Sequence, residues 1–98
     1  MLNEDIPSQL FNIVSLEKLY VSDNQLSGEI PSELGNLINL EHLYLWNNQF
    51  TGTFPQGIGN LTNLTQLNIG MNQFSGDMPN QIGNLTSLNK LLLKGQIR

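Results

Sequence analysis

The sequence predicts a solenoid of the α/β type, an array of stacked coils in which each coil adds one short strand to a parallel sheet. Three observations lead there. The segments Leu16–Asn39 (LEKLYVSDNQLSGEIPSELGNLIN), Leu40–Asn63 (LEHLYLWNNQFTGTFPQGIGNLTN) and Leu64–Ser87 (LTQLNIGMNQFSGDMPNQIGNLTS) align without gaps, each identical to the next at half of its 24 positions. Fixed-period self-similarity of this length marks a solenoid or array. The opening of each unit alternates apolar and polar residues with period two, the pattern of a half-buried strand. The same Asn, Gly and Pro then recur at fixed offsets, so each unit follows the same return path.

The chain is expected to form one domain over residues 1–98. Residues 1–15 are the tail of an incomplete unit: Leu2 falls in register with Leu26, Ile6-Pro7 with Ile30-Pro31, Leu10 with Leu34 and Asn12 with Asn36. Full repeats occupy 16–39, 40–63 and 64–87, and 88–98 is a truncated fourth.

Within a unit, Leu19 and Val21, with Leu43, Leu45, Leu67 and Ile69, point inward. Tyr20, Tyr44 and Asn68 point the other way. One strand per unit, followed by a long return, requires neighbouring strands to be parallel. Asn24, Asn48 and Asn72 open the return path, where a side-chain amide bonds nearby backbone. Stacked once per coil, they predict an asparagine ladder inside the bend. Gly28, Gly52 and Gly76 fit positive φ or a close approach. The prolines of Ile-Pro, Phe-Pro and Met-Pro suit the first position of a short helical turn. Leu34, Ile58 and Ile82 then face inward, Gly35, Gly59 and Gly83 end the turn, and Leu37, Leu61 and Leu85 pack before the next strand. Phe50 and Phe74 with Leu26 form a buried column. None of these positions is buried within a single coil, so stacking must do it.

The fourth unit departs from the pattern. LNKLLL (88–93) is a normal strand, but in strict register Gln96 stands where Asn is expected. The coil ends without a polar cap, and its bare edge near Leu91–Leu93 is a surface through which chains can self-associate.

Composition narrows the function classes. Eight carboxylates against four basic residues disfavour a nucleic-acid partner. With no cysteine, disulfides, thiolate metal sites and cysteine nucleophiles are excluded. The start, MLNEDIPSQL, has neither the basic nor the apolar region of a signal peptide, and no apolar run reaches the roughly 20 residues that span a bilayer. The single histidine, His42, falls on the exposed side of a strand with nothing to build a catalytic triad around it. Gly57-Ile58-Gly59 lacks the third glycine of a phosphate loop, and no carboxylates have calcium-loop spacing. The chain is therefore expected to be no enzyme and to need neither cofactor nor metal.

The unit LxxLYVSDNQLSGEIPSELGNLINL and its two sequels closely resemble the plant-specific class of leucine-rich repeat, over nearly the whole chain from Ile6 to Leu93. The resemblance implies a right-handed superhelix. Its parallel sheet would lie on the concave face, with 3-10 and loop segments on the convex side, and the SGxIP segment would add a second short sheet on the flank. It implies a receptor-like kinase or receptor-like protein ectodomain, extracellular or at the plasma membrane, that binds a peptide or protein ligand or a co-receptor ectodomain. Enzyme inhibitors and ice-binding proteins also occur in the class, but the bulky, irregular columns here do not suit ice. Without a signal peptide, paired-cysteine caps, a transmembrane helix or a kinase domain, the chain reads as part of a longer array. The alternative is a structural fragment with no ligand of its own.

Residues 24 apart become neighbours in columns, since parallel strands lie about 4.8 Å apart. The columns read Lys18, His42, Gln66, Lys90; Tyr20, Tyr44, Asn68, Leu92; Ser22, Trp46, Gly70, Lys94; and Asp23, Asn47, Met71, Gly95. Both tyrosines and the only tryptophan thus face the concave side, where the solenoid does not need them. Exposed aromatics beside adaptable polar groups are what contact sites favour. The expected ligand surface is Tyr20, Tyr44 and Trp46, rimmed by Lys18, His42, Asn47 and Asn68. Three sequons, at Asn60, Asn63 and Asn84, are glycan acceptors if the protein is secreted. Asn60 and Asn84 lie away from the concave sheet, and Asn63 borders a strand.

Overall fold

The computed structural model describes residues 5–22, 25–76 and 78–93. Four short strands, β1 (Lys18–Tyr20), β3 (His42–Tyr44), β5 (Gln66–Asn68) and β6 (Lys90–Leu92), form a parallel sheet in the order β1-β3-β5-β6. The register is that of the repeat: Lys18 pairs with His42, His42 with Gln66, and Gln66 with Lys90. Each coil therefore stacks without slippage, and the middle residues Leu19, Leu43 and Leu67 enter the core.

A second sheet lies on the flank, where β2 (Ser27–Glu29) pairs with β4 (Gln49–Thr51), also parallel. Its register differs. Ser27 faces Gln49 and Gly28 faces Phe50, so the flank pairs residues 22 apart rather than 24. The same stagger continues one coil further, where Gln73 N–H donates to Phe50 O and Ser75 N–H to Gly52 O. An even shift keeps side chains on their own faces, so the stagger changes strand alignment without turning the phenylalanines outward. Strict columns thus hold on the concave sheet and not on the flank.

Asparagines bridge the corner between the two sheets. The Asn48 amide donates to Val21 O (2.5 Å) and Leu45 O (3.2 Å), while its oxygen accepts from Leu26 N–H. Asn72 repeats this one coil on, donating to Leu45 O (2.7 Å), Gly70 O (3.0 Å) and Ile69 O (3.2 Å) and accepting from Phe50 N–H (3.2 Å). Both are buried. Each satisfies backbone groups that the corner removes from ladder pairing, a requirement for any buried polar group. Asn24 lies outside the described residues.

The return path passes through Gly28, Gly52 and Gly76 at φ 85°, 75° and 71°, a region that L side chains seldom occupy. It then enters 3-10 turns. The turns η1 (Ser8–Asn12), η2 (Ser32–Asn36), η3 (Gln56–Asn60) and η4 (Asn80–Asn84) recur once per coil. The prolines stand one residue before these turns rather than at their first position. Pro31, Pro55 and Pro79 are extended, with ψ 160°, 145° and 145°. What each supplies is its carbonyl, which accepts the first turn bond from Leu34, Ile58 or Ile82. The glycines Gly35, Gly59 and Gly83 likewise lie inside the turns, which end at Asn36, Asn60 and Asn84.

Burial along one column shows what holds the coils together. Leu43 and Leu67, flanked by coils on both sides, are 0% exposed, Leu19 is 8% exposed and Leu91 is 42% exposed. Full burial of a leucine contributes about 1.5–3 kcal/mol, and only a neighbouring coil provides it. Phe50 and Phe74 stack with centroids 6.2 Å apart, and Phe54 meets Phe74 edge-on at 5.3 Å, filling the flank side of the core. The core therefore keeps the concave face free of packing duty.

Candidate functional site

The concave sheet is one residue layer thick, with alternate side chains committed to the core. The others stand out: Lys18 and Tyr20 on β1, His42 and Tyr44 on β3, Gln66 and Asn68 on β5. Tyr20 is 54% exposed, while His42, Tyr44, Gln66 and Asn68 are half-buried. Tyr20 and Tyr44 meet edge to face with centroids 4.9 Å apart and planes at 72°, the geometry that the ring quadrupole favours. His42 lies 5.9 Å from the Tyr20 centroid and 6.4 Å from that of Tyr44.

The phenols are tied down diagonally. The Tyr20 hydroxyl is hydrogen-bonded to His42 Nδ1, and the Tyr44 hydroxyl donates to Gln66 Oε1 at 2.6 Å. In both cases the partner lies 22 residues on, across to the next strand and two positions back. The arrangement fixes two aromatic rings before any ligand arrives, which lowers the ordering cost of binding. Lys90 Nζ sits 5.9 Å from the Tyr44 centroid, within cation–π range.

Trp46 and Asn47 continue the surface beyond β3. Trp46 is exposed, and no ring contact joins it to the tyrosine pair among the described residues. Asn47 takes φ 63° and its N–H donates to Gly70 O at 3.1 Å. Its equivalent, Met71, also takes positive φ (56°) and is exposed. Asn68 is turned back on its own strand, where its Oδ1 accepts from Gly70 N–H at 3.2 Å. The structure thus gathers Tyr20, His42, Tyr44 and Lys90 by direct contact. Lys18 and Asn68 share their columns, and Trp46 and Asn47 flank them.

Two roles escape a reading of the repeats. Gln66 holds Tyr44, and nothing in the sequence distinguishes it from any exposed strand residue. Asn39 and Asn63 form a second amide series, donating to Val14 O (2.9 Å) and Ile38 O (3.3 Å) of the preceding coil. Asn63 is thereby engaged in coil stacking. Asn60 and Asn84 are exposed at the ends of η3 and η4 on the convex side.

A cavity of about 410 Å³ opens elsewhere, on the face of the first coil, lined by Ile6, Leu10, Leu19, Val21 and Leu26 among others. These are core positions of the repeat, so its chemistry is that of coil stacking and not of the aromatic surface. Among the described residues no group of three histidine or carboxylate side chains is placed to hold a metal, and no helix is long and apolar enough to cross a membrane.

A family model described as a leucine-rich repeat region matches residues 2–96, and the chain belongs to this family. No curated protein matches it. Solved structures of plant receptors do. The plant peptide hormone receptor RGFR1 in complex with RGF2 superposes with TM-score 0.91 at 34% identity, over 96% of this chain and 15% of the receptor. The ectodomain of the Arabidopsis receptor kinase HAESA, in complex with an IDA peptide hormone, gives 0.89 at 37%, over 97% and 16%. A further HAESA structure also contains the co-receptor SERK1. The ectodomain of the Arabidopsis thaliana receptor kinase SOBIR1 gives 0.90 at 31%, over 98% of this chain and 52% of that one. The chain thus spans about a sixth of the first two and about half of the third. The fold is that of a plant-type leucine-rich-repeat ectodomain segment.

Proposed function

We propose that this chain is a peptide- or protein-recognition segment of an extracellular plant-type receptor ectodomain, and that it binds through the concave face. One observation carries the reading: the edge-to-face Tyr20–Tyr44 pair, locked by His42 and Gln66, stands on a face the core does not cover. Trp46, Lys18, Asn47 and Asn68 extend the contact surface. The similarity to receptors solved with peptide hormones and with a co-receptor supports both kinds of partner. Residues 1–98 act as one unit in this reading, and Asn60 and Asn84 carry glycans on the convex side, clear of the ligand.

The test is selection of a displayed random peptide library against the chain, followed by calorimetric titration of an enriched peptide. Tyr44→Ala and Trp46→Ala are each expected to weaken binding about tenfold or more, as for anchoring aromatics. Unchanged affinity in both variants would place the ligand elsewhere. A second reading, a stacking segment with no ligand of its own, is favoured by the exposure of Leu91 and Leu92 and by the apolar cavity of the first coil. A library that yields no binder to the folded chain would support it.

A further inference from the structure

The chain is acidic overall, yet its described cations are gathered in one place. Lys18 and Lys90, the only lysine or arginine residues among those described, sit at the two ends of a single concave column, with His42 and Gln66 between them. The carboxylates of Glu29 and Glu33 belong to the flank strand and to η2. Glu17 and Glu41 stand one residue before Lys18 and His42, at the rim where the strands begin. Lys90 Nζ lies 5.9 Å from the Tyr44 ring centroid, so the cation at this end faces the concave surface.

We propose that the concave face selects an extended peptide bearing two acidic side chains four positions apart, one engaging Lys18 and the other Lys90. This rests on the reading of the concave face as the ligand surface and adds the ligand's chemistry. The spacing follows from geometry. Three strand-to-strand steps of about 4.8 Å carry the column over roughly 14 Å. An extended chain rises about 3.3 Å per residue, so side chains four apart lie roughly 13 Å apart and point the same way. Three-residue spacing puts the second carboxylate on the opposite face. The residue midway between the acids falls over His42 and Gln66, beside the Tyr20–Tyr44 pair, and is best filled by an aromatic or apolar side chain.

The probe is a nine-residue synthetic peptide, blocked at both ends, with two glutamates four positions apart and a phenylalanine midway. Trp46, the sole tryptophan, reports binding by its emission. Replacing both glutamates by glutamine is expected to weaken binding by roughly four- to twenty-fivefold, the product of two exposed charge contacts, and three-residue spacing, which keeps one of them, by roughly two- to fivefold. Lys18→Gln and Lys90→Gln are each expected to cost roughly two- to fivefold for the glutamate peptide and nothing for the glutamine peptide. Glu41→Gln, which removes a rim carboxylate, should tighten binding. Circular dichroism of each variant verifies the fold. Equal affinity for the glutamate and glutamine peptides, with loss in Tyr44→Ala, would overturn the acidic selectivity and leave the concave surface standing. No emission change with any of these peptides would also overturn it, while the library selection judges the concave surface separately.

Discussion

Asn72→Ala probes the corner that joins the two sheets. Asn72 is 2% exposed and makes four hydrogen bonds, three donated to carbonyls and one accepted from Phe50 N–H. Alanine removes all four but does not strand every partner. Leu45 O keeps the Asn48 amide at 3.2 Å, and Gly70 O keeps Asn47 N–H at 3.1 Å. Phe50 N–H loses the acceptor that Asn72 provides, and Phe50 itself is 1% exposed. A stranded buried donor costs about 1–3 kcal/mol, and the donated bonds add about 1 kcal/mol net. The expected loss is about 2–4 kcal/mol, a large part of the roughly 5–15 kcal/mol that stabilises a small domain. Urea unfolding followed by far-UV circular dichroism gives the free energy by linear extrapolation. Asn39→Ala is the control: its amide also bonds a neighbouring coil, to Val14 O, but from an exposed position, and about 0.5–1 kcal/mol is expected. An Asn72→Ala chain within about 0.5 kcal/mol of the parent, or no worse than Asn39→Ala, would refute the view that the amide satisfies the corner.

Three further substitutions test coil spacing and backbone strain. A Cβ at Gly59 would lie 2.7 Å from Gln81 Cβ and 3.0 Å from Gln81 O, whereas one at Gly83 would meet nothing within 4 Å. Gly59→Ala should therefore lower stability by about 1–3 kcal/mol, and Gly83→Ala should leave the urea midpoint unchanged or raise it. Met71→Gly should stabilise by about 1 kcal/mol, since Met71 holds a left-handed conformation at φ 56° from an exposed position. A melting temperature that rises by roughly 4–8 °C would match this, given the scaling for a domain of this size.

The concave sheet was legible because its register equals the repeat period, so alignment of the units is also alignment of the strands. That placed Tyr20, Tyr44 and Asn68 in one column and Lys18 and His42 in another. The flank was not legible in the same way, because the corner changes the offset from 24 to 22 and only hydrogen-bond geometry records that shift. The diagonal ties from Tyr20 to His42 and from Tyr44 to Gln66 depend on side-chain reach across strands, which period alone does not specify. Asn63 was legible only as a sequon asparagine bordering a strand, while its amide turns back to Ile38 O, a bond that leaves no trace in composition or spacing. The prolines show a smaller effect: proline supports a helical turn from either side of its boundary, and here the carbonyl before the turn is what the coil uses.

The most direct test of the concave face as the ligand surface is a chemical-shift map of the isotope-labelled chain titrated with a library-selected peptide. The largest changes are expected at Tyr20, His42, Tyr44, Trp46 and Asn68. The convex turns at Gln56–Asn60 and Asn80–Asn84 should remain unmoved. Changes confined to those turns, or to the flank strands Ser27–Glu29 and Gln49–Thr51, would contradict it.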